Sequence, residues 1–209
     1  MNRAEAQNRI EKLKELINHH RYLYHVEDRQ EISESALDSL KHELFQLEQQ
    51  FPGFITKDSP TQRIGGKLSE GFKKVEHSAK MLSMEDLFSE KELQEWEGYI
   101  KRLAPSIDLE YFAELKIDGF AINLIYENGI FVRGATRGDG KVGEDVTQNL
   151  KTIESIPLKL EKVLAKTMEI RGEVYMRKKD FEKFNGEQKK SGLPVFANPR
   201  NLAAGSIRQ

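Results

Sequence analysis

"ELKIDGFAINLIYENGIFVRGAT", Glu114 to Thr136, decides the fold. Two alternating apolar runs, "FAINLIY" and "IFVRGAT", flank the dipeptide Asn128-Gly129. Asn-Gly between such runs is the strongest short-range hairpin signal, because the two-residue turn it favours needs positive φ at both positions. The second part of the chain therefore rests on an antiparallel sheet. Upstream, "LEYFAEL", Leu109 to Leu115, reads as another strand, and "TMEIRGEVYM", Thr167 to Met176, alternates again and is expected to pair into the same sheet. "SEKE", Ser89 to Glu92, is a capping box. It opens a helix with Leu93, Trp96, Ile100 and Leu103 on one face, ending before Pro105. "KDFEKFNGEQKK" also reads as helix.

The first part is helical. Ile10, Leu13, Leu16, Ile17 and Tyr24 recur at helical spacing, and after "EDRQEIS" a second helix carries Leu37, Leu40, Leu44, Leu47 and Phe51. Phe51-Pro52-Gly53 stops it. Two amphipathic helices of this kind make a helical hairpin with its own apolar seam. "KDSPTQRIGGKLSEG", Lys57 to Gly71, is rich in Gly, Ser and Pro and reads as a linker or long surface loop. The expected organisation is a helical subdomain over 1–68 and a second, α+β domain over 69–209.

With 209 residues, 38% hydrophobic and 32% charged, and a mean hydropathy of -0.63, the chain is a polar globular protein with room for two units. A net charge of -1 excludes nucleic-acid binding by bulk positive charge. The short basic runs at Lys73-Lys74, Arg177 to Lys179 and Lys189-Lys190 read as solvated surface. No apolar run has membrane-spanning length, and the N-terminus lacks the apolar core of a secretory signal, so a cytoplasmic location and no membrane partner are expected. Zero cysteines exclude disulfides and thiolate metal sites within the chain, leaving magnesium held by carboxylate or phosphate open.

Two motifs compete for the chemistry. "GDGKVG", Gly138 to Gly143, fits the dinucleotide-binding G-x-G-x-x-G, but that fingerprint needs a parallel β-α-β unit, and here the preceding strand is the return arm of a hairpin. A glycine loop between strand and helix explains it. The other motif is K-x-D-G, Lys116 to Gly119, which taken alone is an ordinary charged turn at a strand end. Its neighbourhood is what distinguishes it. Glu114 and Lys116 are two apart on the expected strand, so they share a face, and Asp118 would continue it. Arg137 follows the hairpin, and Glu173 sits on a strand expected to join the sheet. A lysine attacks as the free amine, whereas carboxylates alone hold it as ammonium. The acids make sense when they also recruit a cation such as magnesium together with a substrate phosphate. Lys116 and Asp118 are the candidate catalytic residues; no metal ligand is assigned.

These residues resemble the nucleotidyltransferases that form a lysyl-AMP, specifically the bacterial NAD-dependent DNA ligases. The resemblance runs through "HHRYLYHV" (His19 to Val26), "DSPTQRIGG" (Asp58 to Gly66), "MLSM" (Met81 to Met84), "ELKIDG", "GATRGDGKVGEDVTQNLKTI" (Gly134 to Ile153), "IRGEVYM" and "FANPRNLAAGSIRQ" (Phe196 to Gln209). It implies a helical NMN-binding subdomain followed by a partial lysine nucleotidyltransferase domain, ATP-grasp-like, with an antiparallel sheet. It implies that Lys116 attacks the adenylyl phosphorus of NAD and expels NMN. Glu114 would read the adenine, Arg137 would contact the ribose or phosphate, Glu173 would bind the ribose or assist magnesium, and Ser83 and Met84 would line the pocket. Tyr24, His25, Glu34 and Asp38 would grip the nicotinamide half. AMP would then pass to the 5'-phosphate of nicked double-stranded DNA, with Arg200 and Arg208 near the nick phosphates.

The family usually has Asp where this chain has Glu34, and Tyr where it has Leu37. The first change lengthens the reach of the carboxylate; the second exchanges a stacking ring for a packing side chain. His19 and His20 read as helix surface or packing. The chain is expected to be an N-terminal piece of such a ligase, without the family's later strands, its four-cysteine zinc site or its DNA-binding modules, and to be a monomer. Two other readings stand beside this one: an ATP-dependent relative, and a non-catalytic NAD- or DNA-binding module.

Overall fold

The computed structural model describes residues 1–25, 27, 29–63, 71–84 and 86–208. Helices α1 (Arg3–His25) and α2 (Glu34–Gln50) form the expected hairpin around Ile10, Leu13, Ile17, Leu44 and Leu47. Ser33 caps α2 by accepting from the Ala36 N–H at 3.2 Å. A fork of two hydrogen bonds, 2.7 and 2.6 Å, joins Arg9 to Glu43 across the pair. Being half exposed, it contributes at most about 1 kcal/mol. Tyr24 leaves the expected apolar stripe and is exposed, because its hydroxyl donates to Glu34 at 3.2 Å on the far side.

The segment after α2 corrects the expectation of a linker. Pro52–Phe54 and Pro60–Arg63 are 3-10 turns, and residues 57–63 are packed onto the helices. The Glu48 carboxylate, 2% exposed on α2, accepts hydrogen bonds from Ser59 Oγ at 2.6 Å and from Thr61 Oγ1. The buried Lys14 donates to Thr56 Oγ1 at 2.8 Å and lies 3.9 Å from Asp58. A buried charge is tolerated only when paired or hydrogen-bonded, so the small polar residues that suggested a loop are the partners these charges require. The remainder of the expected linker and the boundary at 68/69 lie outside the described residues.

The second unit contains β1 (Lys74–Glu76), α3 (Glu90–Leu103), β2 (Phe120–Glu127), β3 (Ile130–Thr136), β4 (Val142–Glu144), α4 (Thr147–Lys151), β5 (Thr167–Val174), α5 (Lys178–Lys190) and α6 (Pro199–Ile207). It is α+β, as expected. Its main sheet has the order β3-β2-β5, antiparallel throughout, and β1 pairs with β4 in a second, two-stranded sheet. The hairpin turn has φ 49° at Asn128 and 79° at Gly129. β2 presents Ile122, Leu124 and Tyr126 to a core shared with Phe131, Val146 and Leu150, and Met168, Ile170 and Val174 of β5 pack against it. Burying each large side chain fully stabilises the fold by roughly 1.5–3 kcal/mol. Tyr126 donates to the Pro157 carbonyl at 2.8 Å, and burial pushes its phenol up to about 12.

One expectation fails here. Residues 109–118, including "LEYFAEL", belong to no strand. Alternation encodes a face, whereas a strand needs a ladder partner, and none is present among the described residues. Helix α3 forms as predicted, with Ser89 accepting from the Glu92 N–H at 3.2 Å, but none of its residues is buried. Leu93, Trp96 and Leu103 are exposed.

The two units are joined by buried charge. Arg63, 5% exposed, donates to the carbonyls of Lys151, Ile153 and Ile156 at 2.8–3.0 Å, filling acceptors that the end of α4 and the turn after it leave open. Arg21 of α1, equally buried, pairs with Glu154 at 2.9 Å.

Candidate functional site

The face of the β3-β2-β5 sheet opposite the core is polar. Register places Glu173 opposite Ala121 and Arg171 opposite Asn123, and the N–H of Arg137, one residue beyond β3, bonds the Ala121 carbonyl at 3.1 Å. By the pleat, Glu173 and Arg137 flank one point of β2 on one side of the sheet. The K-x-D-G turn leads into that point. Gly119 donates its N–H to Glu173 Oε1 at 3.1 Å, and a Cβ on Gly119 would lie 2.3 Å from the Val174 carbonyl oxygen. The glycine of the motif is thus the one residue that lets the turn close on β5.

Lys116 and Glu114 are exposed on a segment outside any strand before this turn, so the shared strand face expected for them is not formed. Asp118 is brought to Arg200, 3.2 Å away at the start of α6, where Asn198 caps the helix by accepting from the Asn201 N–H at 2.8 Å. Arg208, at the other end of α6, pairs with Glu144 at 2.8 Å and lies over the Phe120 ring. Both arginines expected near phosphates therefore sit beside carboxylates of the same domain.

Ser83 and Met84 lie in a segment without regular structure, and the Ser83 hydroxyl receives Arg137 Nη1 at 3.5 Å. Sequence reasoning missed what holds this segment. Arg171 of β5 donates to the carbonyls of Ala79 and Lys80 at 2.9 and 3.1 Å, Met81 N–H bonds the Gly140 carbonyl at 2.9 Å, and a ring nitrogen of His77 lies 3.1 Å from the Arg137 carbonyl. The glycine loop "GDGKVG" is thereby a structural clamp. Gly138 and Gly140 have φ 56° and 90°, and the chain returns as β4, antiparallel to β1, with no β-α-β crossover. Arg171 was legible only as part of an alternating strand.

On the helical unit, a cleft of about 280 Å³ gathers Tyr24, His25, Glu34, Leu37 and Asp38. Tyr24 and His25 meet edge to face, with ring centroids 4.8 Å apart. Leu37 both lines the cleft and packs on the helix seam. Among the lining residues that were not anticipated are His20, Glu31, Lys41, 3.2 Å from Asp38, and Glu154, which comes from the other unit. Burial holds the His25 imidazole below its usual value; Glu154 opposes that shift, while Arg21, Lys41 and Arg63 add to it. An acidic, partly aromatic cleft with a neutral imidazole suits a flat organic cation.

Comparison with known proteins gives matches to two family models. Residues 3–65 match the family described as DNA ligase-like, N-terminal NAD+-binding domain, and residues 69–209 match the NAD-dependent DNA ligase adenylation domain. A DNA ligase of Acetivibrio thermocellus is 55% identical over 205 residues, covering 98% of this chain and 31% of the relative. A DNA ligase of Caldicellulosiruptor saccharolyticus is 54% identical over 96% of this chain and 30% of its own length. One of Carboxydothermus hydrogenoformans is 48% identical over the whole of this chain and 31% of the relative. The chain spans about a third of the length of these curated relatives.

Proposed function

This chain belongs to the NAD-dependent DNA ligase family, and from that premise we propose that it takes AMP from NAD onto Lys116. The free amine of Lys116 attacks the adenylyl phosphorus. An N–P bond forms, the P–O bond to the nicotinamide mononucleotide breaks, and the proton of the attacking amine leaves to solvent. The observation that carries the reading is the turn after Lys116: its Gly119 N–H is bound by Glu173, on the same sheet face as Arg137. In this reading Glu114 reads the adenine, Arg137 and Glu173 hold the ribose and phosphates, and Ser83 and Met84 border the base. Tyr24, His25, Glu34 and Asp38 hold the nicotinamide half. Asp118 orients the turn through Arg200.

Magnesium fits the donor set. Glu173 uses one carboxylate oxygen on Gly119 and Asp118 uses one on Arg200, so each keeps a hard oxygen for an ion. Magnesium is commonly held by one or two carboxylates together with substrate phosphates and waters, and it would supply charge neutralisation at the pyrophosphate. Within a whole ligase the adenylate then passes to the 5'-phosphate of nicked double-stranded DNA, and Arg200 and Arg208 are the arginines nearest that role. A monomeric protein of the cytoplasm accords with this reading. No helix among the described residues is long and apolar enough to cross a membrane.

The test is intact-mass measurement after incubation with NAD and magnesium, with ATP as the parallel donor. Gain of one AMP from NAD, absent in Lys116→Ala, is expected. An adduct from ATP alone would give the assignment to an ATP-dependent relative, and NAD binding without mass gain would reduce the chain to a binding module.

A further inference from the structure

His19 and His20, at consecutive positions near the end of α1, have no part in the proposed chemistry. Adjacent helical side chains diverge by about 100°, so two neighbouring imidazoles do not by themselves make a site. The segment returning to α2 changes this by bringing in Glu31. One ligating atom from each of His19, His20 and Glu31 lies within 4.8 Å of the other two.

The details suit a metal ion of the zinc class. His19 Nε2 is 3.6 Å from Glu31 Oε2. Zinc bonds of about 2.0–2.1 Å in a tetrahedron set neighbouring donors roughly 3.3–3.5 Å apart, so this pair needs almost no movement. The other oxygen, Glu31 Oε1, is held by Arg29 Nη2 at 3.1 Å, which orients the carboxylate and leaves Oε2 turned to the histidine. Arg29 also lies 3.8 Å from Glu27, which shares its charge. Among the described residues the Nδ1 of His20 is buried without a hydrogen-bond partner. The two rings stand edge to face with centroids 5.2 Å apart, and small rotations bring them onto one ion. Two imidazoles and one carboxylate are a borderline-soft set that favours zinc, cobalt or nickel over magnesium.

We infer that His19, His20 and Glu31 form a three-ligand site for a divalent transition-metal ion that ties the segment before α2 to α1. The fourth position is open to water. Because Glu31 and His20 also line the nicotinamide cleft, an ion bound there stiffens one wall of that cleft. The site itself does not depend on the adenylation chemistry.

The experiment is a titration of the whole chain at pH 7.5 with cobalt(II), followed by visible absorption and competed with zinc. Expected are one equivalent per chain, the intense absorption of a four-coordinate ion, and displacement by zinc. His20→Ala, His19→Ala and the exposed change Glu31→Gln should each weaken binding at least tenfold, whereas His42→Ala on α2 and Lys116→Ala should leave it unchanged. Circular dichroism checks that each variant is folded. Absence of cobalt absorption at millimolar ion, or equal binding by folded Glu31→Gln and His20→Ala, overturns the site and leaves the adenylation reading intact.

Discussion

The guanidinium of Arg21 and the carboxylate of Glu154, 133 residues apart in sequence, meet at two points 2.9 Å each. Arg63 approaches the same carboxylate at 3.7 Å while its other nitrogens serve backbone carbonyls. Two cations, each about 95% buried, thus share one anion at the contact between the helical unit and the sheet domain. Burial lowers the pKa of both arginines and Glu154 offsets part of that cost.

Glu154→Gln removes the shared charge while keeping its shape. Breaking a fully buried pair costs about 3–5 kcal/mol, and because the Glu154 side chain is 28% exposed, a loss of roughly 2–3 kcal/mol is expected. Urea unfolding measures it; an unchanged midpoint would show that water already carries these charges.

Gly119→Ala places a methyl 2.3 Å from the Val174 carbonyl oxygen, at the first rung of the β2-β5 ladder. The backbone must shift and the bond to Glu173 weaken. A destabilisation of about 2 kcal/mol or more is expected, together with a loss of AMP transfer beyond that in the neighbouring control Ile117→Val. Retained stability and transfer would mean the turn has room to spare.

Thr61→Val and Ser59→Ala each take a hydroxyl donor from the buried Glu48. Leaving a buried acceptor short of partners costs about 1–3 kcal/mol, more for a charged one. Both variants should unfold at lower denaturant, and adding Glu48→Leu to the double mutant should restore part of the loss by removing the charge itself. If the triple variant is weaker still, the carboxylate has other support.

His25 gives the cleft a pH dependence. Its folded pKa is lowered from 6.5, first by burial, so the stability linked to its neutral form is complete above that value and is lost as pH falls through the lowered one. A protonated ring would also repel a pyridinium cation. Binding of nicotinamide mononucleotide, followed by calorimetry between pH 5 and 8, should weaken below the ordinary histidine range, and His25→Gln should flatten that part of the profile. An identical profile in the variant would assign the titration elsewhere.

The hairpin, both N-terminal helices, β5, the capped helix α3 and helix α5 were all legible in the sequence, because periodicity, Asn-Gly and capping residues act over a few positions. The residues proposed for the chemistry stand in the sequence as types at fixed spacings. Their companions were not legible. Arg171, His77, Lys41 and Glu154 carry no local mark, since each acts on a carbonyl, ring or carboxylate brought near by folding. The Ser-Pro-Thr segment misled for the same reason: its hydroxyls read as solvent-facing until Glu48 is seen buried beneath them.

By itself, then, the sequence located the hairpin and helices α1, α2, α3 and α5, and supplied the residue types proposed for phosphoryl chemistry. Tertiary structure alone decided which buried charges neutralise one another, which run of alternating residues finds a ladder partner, and that the cleft on the helical unit takes Glu154 from the other unit. Hydrogen bonds act over about 3 Å and exposed charges are screened beyond roughly 10 Å, and separation along the chain says little about separation in space.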